Sequence, residues 1–141
     1  MKLEFVTLTG PKIQEDVYEV ILPTPVGGVA VYPQHSPLVT AVVAGVVKVR
    51  RTKTDSDDQV EIFAINGGVA EVSGHHVRLL VDEADHAADI VESEAREALE
   101  RAKKLKAEAK GQVELDHAEA LIDRHAVRLK VAELRRHRKR L

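Results

Sequence analysis

Residues 60–88, VEIFAINGGVAEVSGHHVRLLVDEADHAA, contain the change of pattern that decides the fold. Two runs rich in β-branched residues flank the Asn-Gly-Gly sequence at 66–68, and a third run follows at 77–81. Short apolar runs bounded by glycine and asparagine predict strands joined by tight turns. This pattern stops at Asp82, and no Gly or Pro occurs again before Gly111. The second part of the chain is therefore predicted to be helical.

Similar short runs fill the chain before residue 60, and each stops at a Gly or Pro or at a polar stretch. They lie at 3–8, 17–22, 29–32, 38–43 and 46–50. Seven or eight short strands separated by turns predict an antiparallel sandwich or barrel. A chain of 141 residues has room for one such domain and an appendage.

The segment after Asp82 has apolar residues at alternating spacings of three and four, which is the pattern of one helix face. The first stripe comprises Ala88, Val91, Ala95, Ala98, Ala102, Leu105 and Ala109, and the second comprises Leu115, Ala118, Ile122, His125, Leu129 and Ala132. With Asp82 as N-cap and a turn at Gly111, they predict two antiparallel helices of about 27 and 26 residues, each roughly 40 Å long. Because a seam of alanines buries little apolar area, we expect this hairpin to be only weakly self-stabilising.

The composition excludes several functions. The chain has no Cys, which removes disulfides and thiolate chemistry. Its longest apolar run, 38–47, is about half the roughly 20 residues of a membrane span, and its start does not read as a signal peptide. No phosphate-binding loop or dinucleotide fingerprint is present. We therefore expect neither nucleotide chemistry, nucleic-acid binding nor direct membrane insertion.

Three histidine positions are candidates for chemistry. His75 and His76 are adjacent on a strand, so their rings point to opposite faces and do not predict a metal site. His35-Ser36 lacks the surroundings of a catalytic serine. His125 falls in the second helical stripe, where a buried imidazole favours its neutral form and would loosen the hairpin on protonation. A ring at the edge of the seam, in water, is the commoner case. We predict a binding protein rather than an enzyme.

The end of the chain is strongly basic. Residues 128–140 contain seven Lys or Arg, opposed only by Glu133. One interpretation is a surface that binds an acidic partner. The other is a solvated helix end, whose cations suit the negative end of the helix dipole. Charge alone leaves both interpretations open.

Two segments resemble motifs of the epsilon subunits of bacterial F-type ATP synthases. The first is 29–40, VAVYPQHSPLVT, with Gly45, which is similar to the family's G-h-h-P-G-H-x-P-L-x-T... G. The second is 66–72, NGGVAEV, with the strand and the residues up to 88 that follow it, which is similar to the family's S-G-G-h-h-E-V... A-x-x-A junction. The hairpin ending in RLKVAEL at 128–134 is also similar, so the resemblance covers essentially the whole chain. Ala30 and Gln34 depart from it, since the family usually has Gly there.

The resemblance implies an α+β fold with an N-terminal antiparallel β-sandwich of about ten strands at 1–83 and a C-terminal antiparallel two-helix hairpin at 84–141. It implies a non-catalytic rotor subunit that binds the gamma subunit and the c-ring. Its hairpin would inhibit ATP hydrolysis by extending into the alpha/beta hexamer. The implied c-ring and gamma contact comprises Pro25, Val26, Gly27, Gly28, Val29, Ala30 and His35, and the implied inhibitory tail comprises Arg128, Arg135, Arg136, Arg138, Lys139 and Arg140.

Some members of this family bind ATP on the hairpin through an Ile-Asp-x-x-Arg-Ala segment. The matching residues here, 90–95, read IVESEA. Val91 removes the carboxylate of that motif, and Glu94 replaces its cation with a negative charge. Arg124 and Arg128 match two further cations of the site. We expect no regulatory ATP and no other cofactor.

Two alternatives stay open. The mitochondrial delta subunit shares this architecture, although a basic presequence is missing here. A ligand-binding β-sandwich fused to an oligomerising coiled coil would instead have a concave apolar pocket and would self-associate through its helices. For an epsilon subunit we expect a peripheral location at the cytoplasmic face of the bacterial plasma membrane, as part of the ATP synthase.

Overall fold

The computed structural model describes residues 1–140, without the side chains of Lys12, Lys139 and Arg140. Its strands are β1 (Lys2–Thr7), β2 (Gly10–Asp16), β3 (Glu19–Thr24), β4 (Gly27–Val31), β5 (Leu38–Arg50), β6 (Glu61–Ser73), β7 (His76–Val81) and β8 (Ala84–His86). Its helices are α1 (Glu92–Ala107) and α2 (Gln112–Arg140), with short 3₁₀ turns at Asp57–Gln59 and Ala87–Asp89.

The strands form one continuous sheet that folds over on itself. Their order is β2-β1-β7-β6-β5-β3-β4, and β8 pairs with β6. The pairs are antiparallel except β1 with β7, which is parallel. These two strands are distant in sequence, so no hairpin turn forces them to run in opposite directions. The predicted β-sandwich followed by two helices is confirmed, with this parallel pair as a departure.

β5 and β6 are each 13 residues long, where the sequence predicted pairs of shorter strands separated by turns. The predicted turn at 66–68 is wrong. Gly67 and Gly68 have φ angles of 107° and 149°, and a Cβ on Gly68 would lie 2.1 Å from the carbonyl oxygen of Leu80. The two glycines carry β6 through a bend against β7, and the chain does not reverse there.

The bend changes which side chains of β6 face the core. Phe63 and Ile65 are buried before it, and Ala70 and Val72 are buried after it. An unbent strand keeps alternate residues on one face, so the inward positions would all be odd or all even. Because β5 and β6 both bend in this way, each serves both layers of the sandwich. This explains why eight continuous strands build a sandwich for which the resemblance implied about ten.

The core of the sandwich is aliphatic around one aromatic pair. The rings of Phe5 and Phe63 are tilted, with centroids 5.0 Å apart. Fully buried valines and leucines from β1, β3, β4, β5 and β7 surround them. Ala84 of β8 closes this core, so the last strand is part of the domain.

The helical segment begins later than predicted. Ala84–His86 pairs with β6, a 3₁₀ turn follows, and α1 starts only at Glu92. The prediction that Asp82 caps the first helix is therefore wrong, and the sheet extends past the predicted boundary at residue 83. Short apolar periodicity does not separate a brief buried strand from the first turn of a helix.

The two helices lie antiparallel with their alanine faces together. Ala95 and Ala102 of α1 and Ala118 and Ala132 of α2 are buried, as the stripes predicted. The first stripe fails at its start, because Ala88 and Val91 precede α1 and are exposed. α1 has 16 residues and α2 has 29, so the helices are unequal, about 24 and 44 Å long.

The hairpin is folded down on the sheet. A second apolar cluster joins Ile62 and Ala64 of β6 to Ile90, Ala95 and Val131. Ile62 and Ala64 lie on the outer face of β6, opposite to Phe63. The helices therefore cover the outer face of the sheet over the first part of β6 and the neighbouring part of β5, where Val46 joins the cluster.

Candidate functional site: two contact surfaces

Four arginines of α2 contact the sheet and the junction before α1. We name Arg128, Arg135, Arg136 and Arg138 the basic docking contact. Arg135 donates from Nη1 to the carbonyl oxygen of Ala87, at 2.5 Å, and from Nη2 to that of Ile90, at 3.1 Å. Arg138 donates to the carbonyl oxygen of Val60. Guanidinium groups thus donate hydrogen bonds to backbone carbonyl oxygens in and after the 3₁₀ turn and at the residue before β6.

Carboxylates complete the basic docking contact. Arg128 pairs with Asp85, and Nη1 of Arg136 lies 2.6 Å from Oε1 of Glu92. These pairs are partly exposed, and such pairs contribute only about 0.2 to 1 kcal/mol each. The pairs instead fix the position of α2, because Arg128 joins it to β8 and Arg136 joins it to the first residue of α1.

Both cations proposed from the resemblance for ATP are engaged in the folded-down hairpin. Nε of Arg124 lies 2.8 Å from Oε2 of Glu83, and Arg128 pairs with Asp85. The Arg124 contact is an ion pair by distance, although its Nε has no aligned hydrogen bond among the described residues. A phosphate group at this position would compete with two carboxylates.

The sequence offered two interpretations of the basic end, and binding to an acidic partner stays a prediction, because the contacts of the folded-down state lie within the chain. The arginines are not simply solvated, and their acidic and carbonyl partners belong to the same chain. Backbone carbonyls leave no signal in a sequence, so this contact could not be predicted from it. Lys139 and Arg140 were predicted with the tail, but their side chains lie outside the described residues.

The predicted c-ring and gamma contact divides into two places. Pro25 and Val26 form the turn between β3 and β4, and Val26 is 93% exposed. Gly28, Val29 and Ala30 follow on β4, which is an edge strand. His35 lies beyond the other end of β4, where its Nδ1 is 2.7 Å from the carbonyl oxygen of Ser36. A five-residue strand spans about 16 Å, so the structure does not bring His35 to the turn.

A polar network holds the polypeptide near His35. Glu19 is only 8% exposed and accepts a hydrogen bond from the hydroxyl of Tyr32, which raises the pKa of Tyr32. Arg50 contacts Glu19 at 3.4 Å and Asp57 at 2.7 Å, and its hydrogen bond lowers the pKa of Asp57. The network fixes both the start of the loop after β4 and the loop after β5.

A second surface, which the sequence analysis missed, is an exposed apolar row across four strands. Ala41 of β5 is opposite Val69 of β6, Val69 is opposite Leu80 of β7, and Leu80 is opposite Val6 of β1. Ala41, Val69 and Leu80 are exposed and Val6 is half-buried. These residues point away from the core, where sheets usually carry polar side chains. Each residue of the row is next to a buried residue in its strand, and this alternation can be seen in the sequence. The sequence analysis missed the row because the inward positions of β6 change from odd to even residue numbers at the bend.

A charged row borders this apolar row. Arg78 of β7 lies 3.2 Å from Glu4 and 3.8 Å from Glu71, and Gln14 donates to Glu4. The hydrogen bond from Arg78 lowers the pKa of Glu4. An apolar strip with a polar border is the usual composition of a protein interface.

The described residues form two contact surfaces, the basic docking contact and the exposed apolar row. Within residues 1–140 no group of His, Asp and Glu side chains is arranged to hold a metal ion. No helix in that range is both long and apolar enough to cross a membrane. The fold and its surfaces define a class of protein: a small β-sandwich that carries a folded-down helical hairpin and an exposed apolar row suited to protein binding.

Comparison with known proteins identifies the family. Residues 1–87 match the family model described as ATP synthase, Delta/Epsilon chain, beta-sandwich domain. The ATP synthase epsilon chain of Herpetosiphon aurantiacus is 33% identical over 138 residues, which cover 98% of each chain. The chloroplastic epsilon chain of Adiantum capillus-veneris is 35% identical over 119 residues, 84% of this chain and 86% of that one. The chain belongs to the ATP synthase delta/epsilon family.

Solved structures agree on the fold. A chain in the cryo-EM structure of the Euglena gracilis mitochondrial ATP synthase, OSCP/F1/c-ring, superposes with a TM-score of 0.75 at 21% identity. The match covers 93% of this chain and 79% of that chain. The predicted resemblance to epsilon subunits is confirmed, and with it the prediction of a non-catalytic ATP synthase subunit. The relatives named here are bacterial and chloroplast epsilon chains, which favours epsilon over the mitochondrial delta alternative.

Proposed function

We propose that this chain is a rotor subunit whose sandwich joins the gamma subunit to the c-ring and whose hairpin inhibits ATP hydrolysis when it leaves the sheet. The observation that carries the proposal is the basic docking contact. Four of the residues assigned to inhibition, Arg128, Arg135, Arg136 and Arg138, are occupied by the chain's own carbonyls and carboxylates when the hairpin is down. Undocking would free them together for an acidic partner in the alpha/beta hexamer.

The exposed apolar row is our proposed gamma-binding surface. It lies on the outer face of the sheet, away from the part that the helices cover, so a partner can bind it in either state of the hairpin. The proposed c-ring contact is the turn that Pro25 and Val26 form, together with Gly27 at the start of β4. We also propose that the chain is a peripheral part of the enzyme at the cytoplasmic face of a bacterial plasma membrane.

Neutralising either the cations of the helix end or the two carboxylates that pair with Arg124 and Arg128 of α2 tests the inhibitory role in the reconstituted enzyme. The fivefold variant Arg135→Ala, Arg136→Ala, Arg138→Ala, Lys139→Ala and Arg140→Ala removes the inhibitory cations and should raise ATP hydrolysis. The double variant Glu83→Gln and Asp85→Asn loosens docking but keeps these cations, so it should lower hydrolysis. Asp82→Asn is the matched control, because Asp82 is an exposed carboxylate beside the same junction.

The two variants must act in opposite directions. If the basic residues only solvate a helix end, neither variant changes hydrolysis. If both variants raise it, the helices inhibit through the folded-down form and the proposal is wrong. High salt should weaken the inhibition by the wild-type chain, since the Debye length falls from about 10 Å at 0.1 M to about 3 Å at 1 M.

Binding of gamma tests the apolar row independently. Val69→Glu places a charge in the centre of the row, whereas Val113→Glu places one on an equally apolar but remote residue that is 85% exposed. We expect the first to weaken a purified one-to-one complex with gamma and the second to leave it unchanged. Self-association of the free chain instead of binding to gamma would favour the oligomerising coiled-coil alternative.

We also propose that ATP does not regulate this hairpin. Arg124 and Arg128 are paired with Glu83 and Asp85, and Val91 and Glu94 lack the charges of the resembling site. A ligand at a hundred times its dissociation constant would stabilise the chain by about 2.7 kcal/mol. Millimolar ATP should therefore leave the melting temperature unchanged, and a clear rise would contradict the proposal.

A further inference from the structure

His125 lies on α2 where that helix faces α1, and it borders two neighbouring open cavities that share Ala98 and Arg101 of α1. The residue is half-buried, and its Nδ1 is enclosed without a hydrogen-bond partner among the described residues. An enclosed imidazole nitrogen without an acceptor nearby gains nothing from carrying a proton. His125 is outside both the basic docking contact and the exposed apolar row.

Cations dominate the nearest surroundings of His125. Arg124 and Arg128 flank it on its own helix, and Arg101 faces it from α1. The other charged groups that border the two cavities are Lys104, Glu94, Glu97 and Glu108 of α1, and Glu83 approaches from the end of the sheet. Protonation of the ring would thus add a positive charge close to these three arginines.

The protonation equilibrium of the ring is linked to the packing of the helices. Burial lowers the pKa of His125 below 6.5, and the charges of Arg124, Arg128 and Arg101 lower it further, against a smaller opposite effect of Glu83. When α1 and α2 separate, the ring returns to water and to its ordinary pKa. Separated helices therefore bind more protons than packed helices do. The stability that the neutral ring allows is complete above pH 6.5 and is lost as the pH falls below that value.

We propose that His125 is a pH-sensitive element of the hairpin: in acid its protonation adds a charge beside Arg101, Arg124 and Arg128 and shifts the chain towards separated helices. The seam is suited to such control, because most of the side chains that α1 and α2 bury are alanines: Ala95, Ala102, Ala118 and Ala132, beside Val131. A change of one proton can then alter the balance. The inference goes beyond the proposed function and concerns the free chain, so its test needs no partner subunit.

Distance measurement between two labels tests the proposal. The chain has no Cys, so Lys103→Cys and Ala120→Cys, both at exposed positions on facing parts of α1 and α2, can carry a pair of spin labels. Between pH 7.5 and 5.5 we expect the ratio of separated to packed hairpins to rise by at most about tenfold, the limit for one proton with an ordinary pKa in the separated state. Carboxylates, with ordinary pKa values near about 4, stay ionised over this range.

Single substitutions in the labelled chain decide whether His125 is responsible. His125→Gln should abolish the pH response, and His125→Arg should give separated hairpins already at pH 7.5. His117→Gln, on an exposed position of α2, and His86→Gln, at the junction, are matched controls that should retain it. Circular dichroism verifies that each variant keeps its helices. A response that persists in His125→Gln, disappears in either control or is absent from the parent chain overturns the proposal.

Discussion

The β-sandwich and the helical hairpin are held together by different means. The sandwich encloses large side chains, with Phe5, Phe63 and Leu79 fully buried in one continuous core. The hairpin closes on alanines, and it is attached to the sheet by one small apolar cluster and the basic docking contact. Burial of apolar area stabilises roughly in proportion to the area, so the two parts differ in stability. We therefore expect the sandwich to stay folded when the hairpin separates from it.

The difference in stability suits the two parts to different roles. A rotor contact must keep its shape through every cycle, and the proposed gamma and c-ring surfaces lie on the sandwich. A regulatory element must leave its place at small cost, and partly exposed ion pairs allow this because water replaces them readily. Predictions that compare equal changes in the two parts test the distinction directly.

The largest effect is expected from shortening one leucine in each part. Leu79→Ala removes a fully buried side chain from the sandwich and should lower the free energy of unfolding by about 2 to 5 kcal/mol. Leu105→Ala makes the same change in α1, where the side chain is 49% exposed, and should stay within about 0.5 kcal/mol. Urea unfolding of both variants measures this. Equal losses would mean that the hairpin is as tightly built as the sandwich.

The next effect concerns where the sandwich ends. A chain cut after Asp82 lacks β8 and the buried Ala84, whereas a chain cut after Asp89 retains both. We expect the shorter chain to be less stable by about 1 to 3 kcal/mol, because the acceptors and donors of β6 lose their partners. Urea midpoints compare the two. Identical midpoints would show that β8 belongs to the hairpin. If the longer chain bound gamma and the shorter chain did not, the sandwich would need β8 for this binding.

Much of the frame was predictable from sequence because it depends on local patterns. Alternating runs predicted strands, and alanines spaced by three and four predicted two antiparallel helices. The bend of β6 was not predictable, since Asn66-Gly67-Gly68 also suits a hairpin turn, and only the approach of Leu80 shows why Gly68 must be glycine. The start of α1 was missed for a related reason: Ala84 and Ala87 fit either a helix or a short buried strand.

The contact surfaces were predictable only in part. The resemblance implied a c-ring contact at the turn after β3, where Val26 is exposed, and that contact stays a prediction. The exposed apolar row was not found, because it joins Val6, Ala41, Val69 and Leu80 from four strands, and a sequence does not show strand neighbours. The partners of Arg135 and Arg138 are carbonyl oxygens, which every residue has.

A smaller effect is expected from removing the charged donor that joins the hairpin to the junction. Arg135→Gln loses the paired hydrogen bonds to Ala87 and Ile90 and should weaken docking by about 1 kcal/mol. Lys130→Gln removes one positive charge from an exposed position of the same helix and serves as the control. Hydrogen exchange of the α2 amides should become faster in the first variant only. Faster exchange in the sandwich as well would mean that the two parts unfold together.

The smallest effect on stability should accompany a clear effect on function, at the turn after β3. Val26→Asp adds a charge to a side chain that is 93% exposed, so the free energy of unfolding should change by no more than about 0.5 kcal/mol. If the turn contacts the c-ring, a desolvated carboxylate at that interface weakens coupling, since burying an unpaired charge is costly. Leu8→Asp is the matched control, because Leu8 is 84% exposed in the turn after β1. ATP-driven proton pumping of the reconstituted enzyme should fall with Val26→Asp and not with Leu8→Asp. Equal pumping by both variants would remove the turn from the rotor contact and leave the apolar row as the surface that attaches the sandwich.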